Sequence, residues 1–148
     1  MNKYQIAVQR ASTVASIPKN KELKQWAIAA LSAKIDEAEV TIRIVDVSEM
    51  TELNTRYRHK QGPTNVLSFP FDIPPLLGDI IICAEVVQRE ANEQHKSLEA
   101  HWAHMVVHGV LHLLGYDHEI ENDALKMEAE EIIILSGLNF PNPYQIAK

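Results

Sequence analysis

Cysteine is nearly missing from this 148-residue chain: Cys83 stands alone, which excludes an intrachain disulfide and any multi-cysteine zinc site. Its setting, Ile80-Ile81-Ile82-Cys83-Ala84, reads as that of a small buried hydrophobe. Glycine is sparse, at five residues, and no repeat or Pro/Gly-rich tract divides the chain, so residues 1–148 read as one domain. No apolar run approaches the roughly 18 residues of a membrane span. Residues 1–10 lack the apolar core of a secretory signal, so a soluble, cytoplasmic protein with no membrane partner is expected. Positive charge is not in excess: Lys plus Arg is 14, Asp plus Glu is 20, and the net charge is −6. That balance excludes a cationic coat for sequence-blind binding of nucleic acid. The charge is uneven, however. Residues 1–60 carry ten basic and seven acidic side chains, residues 61–116 two and six, and residues 117–148 two and seven. The cluster Arg56-Tyr57-Arg58-His59-Lys60 lies in the positive portion, so contact with a polyanion is expected to use a short basic strip and to depend weakly on salt.

What is present is a clear alternation of strand and helix patterns. Tyr4–Arg10 alternates as a strand, and Pro18-Lys19 leads into a helix with Leu23, Trp26, Ala27, Ala30 and Leu31 on one face. Val40–Val47 alternates again, followed by a helix through Met50, Leu53 and Tyr57 that Ser48 could cap. Val66–Phe71 reads as a strand ended by Pro70 and Pro74-Pro75, and Asp79–Ala84 as a strand buried on both faces. Glu85–His95 suits a short helix. Ser97 can cap a helix through His112 that Gly115 stops in the left-handed conformation, and Gly137 is expected to stop a last helix, Glu121–Ser136, in the same way. Trp26 and Trp102 fall on helix faces and are expected in the core rather than as base-stacking platforms. The order β-α-β-α-β-β-α-α-α predicts an α+β or α/β domain with one mixed four-stranded sheet and about five helices; the histidine spacing described next points to the α+β, zincin-like form.

Chemistry concentrates in the histidines. Seven occur, and five lie between His101 and His118. His108 and His112 are four apart, so on a helix both rings project from one face. Gly115 then breaks the helix and the chain delivers His118. Two helix-borne imidazoles and a third beyond a glycine turn leave one tetrahedral position open, the mark of a catalytic rather than a structural zinc site. One zinc-type ion per chain on His108, His112 and His118 is therefore expected. His104 and His101 lie one and two turns further back, as spare ligands, partners of a ligand or exposed residues; exposure is the expectation. The spacing equals that of the long zincin motif His-Glu-x-x-His-x-x-Gly-x-x-His except that Gly109 replaces the glutamate. That glutamate is the general base of zinc peptidases, so a peptidase is disfavoured.

The stretch His108–His118 resembles the signature of the YbeY family of bacterial rRNA-maturation endoribonucleases. Leu53–Arg58, Pro63–Pro70, Leu77–Ile80 and Glu99–Met105 resemble the family's other blocks in order and spacing. The resemblance implies a metal-dependent, single-strand-specific endoribonuclease acting in 16S rRNA 3′-end maturation and ribosome quality control. It implies single-stranded RNA, the small ribosomal subunit and assembly factors as partners, and no DNA. It carries metal ligation to His108, His112 and His118, and a functional role to Arg58. Many members have Asp where this chain has Asn65, so no acid–base role is assigned there; many have Gly where it has His59.

Negative charge accumulates on phosphorus as an RNA phosphodiester is cleaved, and a metal and a guanidinium can offset it. Arg58 is accordingly expected to grip a phosphate oxygen, against the plainer alternative of a solvated helix-end residue. Asp117 and Glu119 could orient His118 through its second nitrogen, and Ser68 and Phe69 could line the cleft from an edge strand. Two other classes stay open: a ribosome-assembly or RNA-binding factor with a structural metal, and a metal-dependent hydrolase of peptide or amide bonds.

Overall fold

The computed structural model describes residues 3–59, 62–117 and 121–145. Strand β1 (Tyr4–Ala11) leads to helix α1 (Asn20–Ser32), strand β2 (Ala38–Val45) and helix α2 (Val47–Arg58). Strands β3 (Val66–Ile73) and β4 (Leu76–Cys83) follow, then helices α3 (Ala84–Glu93), α4 (Leu98–Leu113) and α5 (Glu121–Gly137). Among the described residues these form one α+β domain around a four-stranded mixed sheet of order β1-β2-β4-β3. β2 runs parallel to β1 and β4, and β3 pairs antiparallel with β4 at the edge. The predicted element order and fold class hold.

Local chemistry explains most boundaries. Leu23, Trp26, Ala27, Ala30 and Leu31 are the buried face of α1, as their helical spacing requires. The Ser97 hydroxyl accepts from the Ala100 amide and starts α4. Gly115, at φ +101°, ends it. Pro70 does not end β3, because on an edge strand its missing N–H leaves no ladder bond unmade and the chain pairs on to Ile73. Ser48 does not cap α2. The helix begins at Val47, whose amide is taken by the Glu85 carboxylate of α3 at 2.9 Å, while the Asp46 carboxylate binds Ser12 and Thr13. Gly137 is not left-handed; α5 runs through it, and Asn139 takes that conformation two residues later.

The main core lies between the sheet and α1, α4 and α5, with Ile42, Ile80, Trp102, Val106 and Leu111 at or near zero exposure. A smaller cluster, Val45, Met50, Leu67, Ile81, Cys83 and Val86, fills the other face beneath α2. Trp26, Trp102 and Cys83 are buried as expected, and burial pushes the Cys83 thiol above its usual range. Helix α4 is the axis of the structure, packed by α1, α3, α5, β3 and β4. No helix among the described residues is long and apolar enough to cross a membrane.

Candidate active site

Two small groups decide where α4 lies. A Cβ on Gly109 would come within 2.7 Å of Ile80 Cγ2, so glycine lets the helix backbone press onto the sheet. One strand over, the Ser68 hydroxyl donates to the Gly109 carbonyl at 3.1 Å. Ile80 and Ser68 are paired in register, so the two contacts locate one point of the helix over the β3–β4 ladder. Position 109 therefore faces the sheet. A glutamate there would strike Ile80, a fully buried β-branched residue, which removes the structural basis for a zincin-type general base.

A cleft of about 660 Å³ opens beside the β3 edge, lined by Arg58, Asn65, Ser68, His108, His112, Tyr116 and Asp117 among others. The His108 and His112 ring centroids are 4.7 Å apart. Arg58 arrives from the end of α2, where His59 adopts a left-handed conformation at φ 55° and terminates the helix. This is the conformation glycine accommodates most easily. Three of the four site residues predicted from sequence thus meet in one cleft; His118 lies outside the described residues, as does Glu119. Ser68 faces this cleft, whereas Phe69 turns to the opposite face and meets Tyr57 edge-on at 5.4 Å.

His101 and His104 are not exposed; they retain 2% and 6% of their surface. The reason is that α3 and α5 each set a carboxylate against α4. Glu90 takes His101 Nε2 at 2.9 Å, and the Asn65 amide donates to the same carboxylate at 3.1 and 3.3 Å. Burial alone would raise the Glu90 carboxyl, but the hydrogen bonds from His101 and Asn65 bring it below the usual range. Glu131 has no exposed surface at all. Its Oε2 lies 2.6 Å from His108 Nδ1 and 3.2 Å from His104 Nε2, and Oε1 accepts from the Tyr144 hydroxyl. Burial would raise this carboxyl too, yet hydrogen bonds from His104 and His108 outweigh it and hold it at about 2. Burial also lowers His104, which favours its neutral ring.

His104, His108 and Glu131 bring donor atoms within 4.8 Å of one another, a grouping that could hold a metal ion. Sequence reasoning missed Glu131, Glu90 and Tyr144. Glu131 had left a signal: it shares a helix face with Met127, Ile134 and Leu135, and a carboxylate on an apolar face implies a buried partner.

An α+β domain that turns two imidazoles and a guanidinium into one cleft, with a buried carboxylate behind one ring, has the make-up of a hydrolase for phosphate esters. The sequence matches the family described as Endoribonuclease YbeY over residues 6–139. It is 51% identical over 147 residues to Endoribonuclease YbeY of Nitrosococcus oceani, covering 95% of this chain and 96% of that protein. It is 50% identical over 153 residues to Endoribonuclease YbeY of Cellvibrio japonicus, covering 99% of this chain and 86% of that one. The solution structure of TM1509 from Thermotoga maritima shares the fold, with a TM-score of 0.60 at 24% identity over 93% of this chain and 99% of that one. The chain belongs to the YbeY endoribonuclease family and is an RNA-cleaving hydrolase.

Proposed function

We propose that residues 1–148 form a single metallo-endoribonuclease domain that cleaves single-stranded RNA and acts in 16S rRNA 3′-end maturation and ribosome quality control in the cytoplasm. The small ribosomal subunit and its assembly factors are the partners this reading assigns. One zinc ion per chain would be held by His108, His112 and His118. The observation that carries the reading is the convergence of His108, His112 and Arg58 on one cleft.

The donor set fits such an ion, because two imidazoles one helical turn apart share the cleft and His108 has its Nδ1 already engaged by Glu131. Bound zinc would supply Lewis acidity and lower the pKa of a coordinated water toward 7. The remaining work falls to the chain. Arg58 binds a non-bridging phosphate oxygen through its planar fork and offsets charge as it develops on phosphorus. The sheet's edge strand β3 borders the cleft through Val66, Ser68 and Pro70, and an extended RNA strand is the substrate shape this reading assigns to it.

The test compares native, metal-stripped and His112→Ala protein on single-stranded RNA, structured RNA and a peptide library, with far-UV circular dichroism alongside. Loss of single-strand cleavage in the last two samples, with the fold kept, is the expected result. Cleavage that survives both treatments overturns the proposal, as does peptide turnover. Unfolding on metal removal would make the metal structural and the assembly-factor reading the better one.

A further inference from the structure

Glu131 reaches the cleft through His108, and that link has a chemical direction. Three groups converge on the Glu131 carboxylate, His108 Nδ1 at 2.6 Å, His104 Nε2 at 3.2 Å and the Tyr144 hydroxyl, an arrangement in which the carboxylate serves as the common acceptor and His108 presents Nδ1–H to it. A neutral imidazole has one N–H, and with that spent on Glu131 its Nε2 keeps the lone pair. Glu131 has no exposed surface through which water could share its charge. Its other oxygen is closed by the Tyr144 hydroxyl, from the segment after α5. That segment is itself pinned: the Lys96 ammonium donates to the Pro143 carbonyl at 2.5 Å, and the Tyr144 amide donates to Asn142 Oδ1 at 2.8 Å.

We propose that Glu131, completed by Tyr144, is a positioning residue that locks His108 in its Nδ1–H form and so presents Nε2 as a metal donor. This rests on the reading of His108 as a ligand. It assigns the segment after α5 a part in metal binding, with Tyr144 reaching the ligand through Glu131.

Nitrogen-resolved NMR of the histidine rings in metal-free protein should show His108 protonated at Nδ1; protonation at Nε2 overturns the inference. Zinc affinity is then measured by competition with a chromophoric chelator in the parent protein, Glu131→Gln and Tyr144→Phe, each checked by circular dichroism. Glu131→Gln keeps the shape and removes the charge, and should weaken zinc binding by about 10–100-fold. Tyr144→Phe should weaken it several-fold, and it tests the same link should Glu131→Gln fail to fold. Parent-like affinity in a folded Glu131→Gln protein overturns the proposal, and so does the complete loss expected of a deleted ligand. His112→Ala separates the two levels. If it loses zinc while Glu131→Gln does not, only the positioning role falls; if it binds zinc like the parent, the ligand assignment falls first.

Discussion

His101 and His104 at one end of α4, and His108 and His112 at the other, form a single stripe of imidazoles with different surroundings. The first pair is enclosed by α3 and α5 and answered by Glu90 and Glu131. The second pair lines an open cleft opposite Arg58, and His108 keeps a carboxylate behind it. Residue type and helix are the same. Whether a ring becomes a structural hydrogen-bonding group or a candidate ligand is set by what the neighbouring elements bring up to it.

The contrast can be broken most strongly at the open end. Arg58→Ala should lower the rate of single-strand RNA cleavage by about 10²–10³-fold while zinc content stays at the parent level. A variant that cleaves like the parent would reduce Arg58 to a solvated helix end. At the enclosed end the expected losses are of stability. In metal-free protein the Glu131 carboxyl, at about 2, titrates below its unfolded value of 4.5, so its stabilisation is complete above pH 4.5 and disappears as pH falls toward 2. The loss should amount to roughly a few kcal/mol, read from urea unfolding at stepped pH. Glu90 and His104 are lowered as well and act with the same sign, His104 beginning below its unfolded value of 6.5. Unfolding free energy independent of pH from 6 to 3 would contradict this account.

Between the two ends, Gly109→Ala tests the point where α4 meets the sheet. A methyl 2.7 Å from Ile80 should cost about 1–3 kcal/mol of unfolding free energy, and the displaced helix should also impair cleavage. Equal stability would show that the helix has room to shift. The smallest effect is expected at His59. Replacing this left-handed residue by glycine should leave stability within about 1 kcal/mol of the parent, on the favourable side, with cleavage unchanged. A marked loss of cleavage would give the His59 side chain a part in the site.

Much of the fold was legible in the linear pattern. The alternation of Val40, Ile42 and Ile44 and the helical spacing of Leu23, Trp26, Ala27, Ala30 and Leu31 depend only on backbone periodicity, which is a local property. Ser97 and Gly115 bound α4 for equally local reasons. The expectations that failed depended on contacts across the fold. Ser48 lost the start of α2 because Glu85, 38 residues away from Val47, occupies the first free amide. Pro70 stayed within β3 because that strand became the sheet edge, a matter of strand order rather than of proline chemistry.

The site divides along the same line. By itself the sequence determined the spacing of His108 and His112 and the glycine stop after them, which a short contiguous motif carries, and the family, which is matched along residues 6–139. Only the tertiary structure decided that Arg58 shares their cleft and that position 109 has no room for a side chain. It alone turned His101 and His104 inward onto carboxylates from separate helices. Burying an imidazole or a carboxylate is costly unless a partner satisfies it, and those partners come from α3, α5 and the segment beyond α5. No local rule encodes that meeting.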